Sequence, residues 1–364
     1  MQLAILYREE LKEYDFGAGH PFSGARYTNF YRFLKDNLSD ENYRIISAEP
    51  AEDADLLLIC NREYIDFTRE FYRAANLSSD YDERFYLFHS ADNRPVGRPG
   101  KLEEAARLIV GQAKRAVDIV ESGEFEKAVS LGGGMHHAKS GFGEGFCIYN
   151  DVAFAAKYLK HKYGLKRILI LDTDAHAGNG TSEYFYHDPG VLFIDLHQDP
   201  RTLYPGTGFV YQIGEGAGKG YTINVPMPIG AGYDSYESVF EEIIEPVAGE
   251  FEPELVVRYG GSDPYLNDQL TQLGLPISGF RMIGKRTSAI AEICQGKEID
   301  LIASGYNEDI LPYAWLALIS GLAGLGIAIE EREPIDERDW ASKDTEEVIR
   351  KVKEELKDYW TCLS

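Results

Sequence analysis

Cysteine is scarce in this 364-residue chain: Cys60, Cys147, Cys294 and Cys362 are widely spaced and none forms a CxxC pair. That excludes a disulfide framework and a thiolate zinc cage, and it fits a reducing cytoplasm, where the protein is expected to reside. Positive charge is short as well. Lys plus Arg number 37 against 60 for Asp plus Glu, a net charge of -23. Such a field repels phosphate backbones and anionic membrane surfaces, so neither nucleic acid nor a membrane is an expected partner. The acidic surplus serves solubility first, and a negative rim that draws in a cationic substrate is compatible with it. Long apolar runs are missing too. The longest, 314–329, contains Ser320, Gly321, Gly324 and Gly326, and it falls short of the roughly 20 residues of a membrane span; a buried helix is predicted there. Residues 1–7 lack the basic segment and apolar core of a secretory signal. No Pro/Ser-rich or low-complexity linker interrupts the chain, so one domain over residues 1–364 is expected.

What is present is an alternation of short apolar runs with helical patterns. Strands are predicted at 3–6, 56–60, 128–131, 167–171, 191–196, 255–259 and 301–304. Helices are predicted at 102–123, 152–163, 236–251 and 279–294, with a C-terminal amphipathic helix at about 345–359. Continuous apolar strands separated by helices imply an α/β fold with a predominantly parallel central sheet and helices on both faces. Polar residues cluster just after the strands. Leu131 runs into Gly132-Gly133-Gly134-Met135-His136-His137, Leu171 into Asp172-Thr173-Asp174-Ala175-His176, and Leu196 into His197. Tyr259 runs into Gly260-Gly261-Ser262-Asp263, and Ser304 into Gly305-Tyr306. Open α/β sheets bind their ligands at the carboxyl ends of the strands, so these five ends are expected to share one rim.

Asp174, His176 and Asp263 form a candidate metal set. A five-residue strand alternates faces, so Asp172, Asp174 and His176 are expected to project the same way, out of the carboxyl edge of the sheet. Two carboxylates and one imidazole leave coordination positions open, as at a catalytic zinc rather than a structural one. Two anionic ligands nearly neutralise a divalent ion, so its water is less acidified and a protein base becomes useful. His136 and His137 are the candidates, with Asp172 and Asn179 available to orient them.

The segments Gly134-Met135-His136-His137-Ala138, Gly145-Phe146-Cys147-Ile148-Tyr149-Asn150-Asp151, Asp172 to His176, Tyr204-Pro205-Gly206-Thr207-Gly208, Ser262-Asp263 and Gly305-Tyr306 occur in the order found in the histone deacetylase family. The chain resembles a microbial member of that family, of the arginase/deacetylase superfamily, or an acetoin-utilisation-type amidohydrolase. The likeness begins near Tyr14 to Pro21 and Arg26 and runs to about residue 330. It implies that Asp174, His176 and Asp263 hold Zn2+ or another divalent ion, and that His137 serves as general base and then acid. It implies electrostatic support from His136 with Asp172, and an oxyanion hydrogen bond from Tyr306. The substrate implied is a small-molecule or peptide N-acetylated amine, in a slot lined by Gly145, Phe146, Tyr204 and Leu270, with Asp92 at the rim.

Three departures stand out. Ala177 follows His176 where many relatives carry a second histidine, and Asn179 replaces an aspartate. Asp195 stands where a serine often helps bind a monovalent cation; with Asp172, Asp174 and His176 it either holds K+ or Na+ or forms a salt bridge instead. Two other readings remain. A dimanganese ureohydrolase of the arginase type needs further bridging carboxylates where this chain has Gly178 and Tyr265. A non-catalytic binder of acyl-lysine or of a small molecule would keep the pocket and lose the chemistry.

Overall fold

The structure, a computed structural model, describes residues 3–75, 82–327, 329–336 and 338–364. Met1, Gln2 and Ala328 of the two apolar segments discussed above lie outside the described residues. Eight strands are formed: β1 Leu3–Leu6, β2 Tyr43–Ile46, β3 Lys127–Leu131, β4 Ile168–Asp172, β5 Val191–Gln198, β6 Thr222–Met227, β7 Leu255–Tyr259 and β8 Glu298–Ile302. They make one sheet in the order β2-β1-β3-β8-β7-β4-β5-β6. Every residue of β1, β4, β5, β7 and β8 is buried, which is why β1, β4 and the first four residues of β5 read as continuous apolar runs rather than alternating ones, while Arg258 of β7 and Asp300 of β8 are buried as an ion pair.

The chain divides into two compact units, residues 2–164 with 301–303, and residues 165–300 with 304–364. In the first, β1 pairs in parallel with β2 and β3, and the helix Leu102–Glu121 lays a buried face of Leu, Ile, Val and Ala into the core. In the second, β4 pairs in parallel with β5 and β7, and β5 with β6. The helices Ile277–Ala291 and Leu311–Leu322 approach closely because Gly284 and Gly321 present bare backbone: a Cβ on Gly284 would lie 2.2 Å from the Leu318 carbonyl oxygen. No described helix is long and apolar enough to cross a membrane.

The predicted strand at 56–60 is not one. Asp53–Leu56 is a helical turn, started by a capping box in which the Asp55 carboxylate accepts from the Glu52 backbone N–H at 3.0 Å. A five-residue apolar run carries no period long enough to separate strand from helix. β8 begins three residues before the predicted 301, because Asp300 is neutralised by Arg258 and so can lie within a buried strand. β2 and β6 were not expected: Arg44 and Pro226 interrupt their apolar character, and both strands lie at sheet edges, where such residues are tolerated. The C-terminal helix runs from Ser342 to Leu356.

Candidate active site

In the unit of residues 165–300 and 304–364, β4 stops at Asp172, so strand alternation is not what aims Asp174 and His176. The chain bends instead. The Asp172 carboxylate accepts from the Asp174 N–H at 2.9 Å and the Asp174 carboxylate from the His176 N–H at 2.8 Å, two successive side-chain turns. These bring His176 Nδ1 to 3.1 Å from Asp174 Oδ1 and 3.1 Å from Asp263 Oδ2. Asp263, after β7, is fixed in turn: Ser304 donates to its Oδ1 at 2.6 Å and the Ala175 N–H to its Oδ2 at 3.1 Å. All three side chains are buried, with their ligand atoms within 4.8 Å of one another.

The electrostatics ask for a cation. Burial lowers the pKa of the His176 imidazole, but its bonds to Asp174 and Asp263 outweigh that and raise it to about 10. Burial, then the charge of Asp174, pushes Asp263 up. Burial, then the charges of Asp195 and Asp174, pushes Asp172 well up. A buried cluster with this surplus of negative charge, one imidazole nitrogen and two convergent oxygens suits a divalent ion with open positions. Among the described residues this is the one such trio.

Supporting groups surround it. The Tyr259 phenol donates to Asp172 Oδ2. Arg258, fully buried in β7, forms a bidentate pair with Asp300 and donates through Nη1 to the Thr173 hydroxyl at 3.0 Å, holding the residue between Asp172 and Asp174. Asp195 accepts from the Gly178 N–H at 2.9 Å and meets His197 Nδ1 at 2.8 Å. His197 Nε2 faces the Gly208 carbonyl at 2.8 Å, which can only accept, so that nitrogen donates, and both ring nitrogens face oxygen atoms. Burial lowers the pKa of His197, and Asp195 more than compensates. Tyr306 is buried, its ring edge-on to His176 with centroids 6.4 Å apart. Tyr204 and Leu270 are exposed. Asn179 opens the helix Asn179–Phe185.

In the unit of residues 2–164 and 301–303, the buried His136 and His137 rings lie 4.0 Å apart at 48°. Two residues to which the sequence reading gave no role hold this loop. The buried Asp151 carboxylate accepts from the N–H groups of Gly134 at 3.0 Å and Met135 at 2.8 Å. Burial raises the pKa of Asp151 to about 7. Asn150 caps the helix Asp151–Tyr158 and donates to the carbonyls of His136 and Ala138. An asparagine ahead of a helix suits an N-cap, but no residue pattern in the sequence points to the bonds these two make to the His136 loop.

Gly145 has φ +59, and a Cβ there would lie 2.1 Å from His137 Cδ2, so the position admits glycine alone. Its N–H donates to Asp92 Oδ2 at 2.9 Å, and Ser90 donates to Asp92 Oδ1. Asp92 thus shapes the turn that carries Phe146. That ring packs among Phe16, His20 and Phe22, and the Tyr14 hydroxyl donates to the Phe146 carbonyl at 2.6 Å. His20 Nδ1 accepts from the Phe22 N–H, so its Nε2 is the protonated nitrogen and donates to the Asp92 carbonyl at 2.9 Å.

The molecule is thus an α/β protein whose parallel sheet sets a buried carboxylate–imidazole trio, a candidate metal site, after adjacent strands. Residues 20–322 match the family model described as the histone deacetylase domain. The chain is 36% identical to a probable deacetylase of Archaeoglobus fulgidus, over 100% of this chain and 99% of that protein. It is 33% identical to the acetoin utilization protein AcuC of Bacillus subtilis, over 88% of this chain and 82% of that one. In fold it is similar to the HDA15 HD domain, with TM-score 0.81 at 24% identity, covering 100% of this chain and 97% of that one. The protein belongs to the histone deacetylase family.

Proposed function

We propose that the protein is a zinc-dependent deacetylase that hydrolyses the amide of an N-acetylated amine, of acetyl-lysine or acetylpolyamine type, to the amine and acetate. The observation that carries this reading is the buried trio of Asp174, His176 and Asp263, with the Tyr306 ring edge-on to its imidazole. Asp174, His176 and Asp263 would hold a divalent ion, which when bound would supply Lewis acidity toward the acyl carbonyl and a water. His137 accepts a proton from the attacking water and delivers it to the departing nitrogen, so the base is regenerated within one cycle. By the family resemblance His136 supports that charge with Asp172, and Asn179 is the partner proposed for the far nitrogen of His137. The Tyr306 phenol donates a hydrogen bond to the tetrahedral oxyanion.

Gly145, Phe146, Tyr204 and Leu270 are proposed to line the acyl slot, where flat rings and a bare backbone suit a methylene chain. The rim role of Asp92 is proposed to act through its bond to the Gly145 N–H. A cationic amine product suits a chain of net charge -23. At Asp195 the buried contact of its Oδ1 with His197 Nδ1 at 2.8 Å supports a salt bridge over a bound K+ or Na+. A panel of acetyl-lysine peptides, acetylpolyamines and longer acyl amines, offered to the zinc-loaded enzyme, tests the reading. Acetate release from at least one class is expected; tight binding without turnover of any would make the protein an acyl-amine binder.

A further inference from the structure

Asp268 lies between the ligand Asp263 and the proposed slot residue Leu270, in a segment to which the mechanism gives no charge. Its carboxylate bridges two functional positions. Oδ2 accepts from the Tyr306 backbone N–H at 2.7 Å, and Oδ1 accepts from the Leu270 N–H at 2.9 Å. A second tie runs alongside, from the Asn307 side-chain amide to the Asn267 carbonyl at 3.1 Å. The other side of Tyr306 is equally constrained. Gly305 has φ +124, and a Cβ there would lie 1.9 Å from the Ser262 hydroxyl. The preceding Ser304 carbonyl accepts from the Trp315 indole at 3.1 Å. Within this frame the Asp268 carboxylate holds the tyrosine's own N–H. A charge-assisted bond of this kind is roughly twice as strong as a neutral one.

We propose that Asp268 is a positioning residue for the oxyanion donor: by fixing the backbone of Tyr306 and of Leu270 with one carboxylate, it sets the aim of the phenol and its register with the slot wall. The inference rests on the assignment of Tyr306 as that donor. Displacing a catalytic group by about 1 Å can lower the rate on the order of 100-fold.

The test is a mutant cycle on the full-length, zinc-loaded enzyme. Asp268→Asn, which keeps one acceptor oxygen and the side-chain shape, is expected to lower kcat about 10-fold, with KM changed less than kcat. Asp268→Ala is expected to lower kcat further. Zinc content is expected to match the unsubstituted protein in both. In the Tyr306→Phe background Asp268→Asn is expected to change kcat by less than about 2-fold, because there is no phenol left to aim. Asp268→Asn turnover equal to that of the unsubstituted enzyme would overturn the proposal. So would an undiminished effect in the Tyr306→Phe background, or a loss of zinc parallel to the loss of rate. Full activity in Tyr306→Phe alone would instead remove the donor assignment itself. Should Asp268→Ala fail to fold, the Asn variant decides.

Discussion

In the proposed reading Tyr306 stabilises charge and the trio Asp174, His176 and Asp263 binds the metal, and substitutions should separate the two roles. Tyr306→Phe removes one oxyanion donor, and kcat should fall about 100- to 1000-fold with KM little changed; steady-state kinetics showing equal turnover would exclude that role. Asp174→Asn and His176→Ala should purify without the divalent ion, and stoichiometric metal in either variant by elemental analysis would contradict the ligand set. Gly145→Ala would set a methyl 2.1 Å from the His137 ring at a positive φ, so stability should drop by about 1–3 kcal/mol in chemical denaturation. The grouping of Asp174, His176 and Asp263 was legible in the sequence because the first two lie just behind β4 and the third just behind β7, both buried strands. Asp151, Asn150 and Asp268 were not. Their work is done through backbone N–H and C=O groups far off in sequence, as in the Gly134–Asp151 and Tyr306–Asp268 bonds, and no pattern of residue types announces such a partner.

At the scale of elements, the segment after β4 shows how a strand end becomes a ligand loop. Alternation had implied that Asp172, Asp174 and His176 share a face, yet the strand ends at Asp172 and side-chain turns do the aiming. The buried strands were readable because burial on both faces writes a continuous apolar run; β2 and β6 were not, since an edge strand need not be apolar. The ion pair between Arg258 of β7 and Asp300 of β8 is fully buried. Arg258→Met alone should destabilise the fold by about 3–5 kcal/mol, because it strands the charge of Asp300. The double substitution Arg258→Met with Asp300→Leu should recover most of that loss. Denaturant titrations giving equal losses for the single and double variants would show that the pair is not the stabilising unit.

For the molecule as a whole, acid tolerance has an identifiable weak point in the buried His89, whose Nε2 bonds the Thr68 hydroxyl at 3.0 Å. Burial lowers its pKa to about 3. A folded-state pKa below the unfolded value near 6.5 means that the unfolded chain binds the extra proton first. Stability is therefore complete above about pH 6.5 and is lost as pH falls towards 3, by as much as about 4 kcal/mol. The Tm of His89→Gln should fall less steeply over that window, and an unchanged slope would place the acid sensitivity elsewhere. The whole-chain features legible from the start were the acidic balance and the parallel α/β class, both set by composition and strand burial, whereas substrate choice depends on loop shape. The most direct test is to strip the purified protein with a chelator, titrate zinc back, and follow acetate release from acetyl-lysine and acetylpolyamine reporters. Turnover should rise with zinc and saturate at one ion per chain; a metal-loaded protein that releases no acetate, or one that needs two ions, would contradict a single-metal deacetylase built on Asp174, His176 and Asp263.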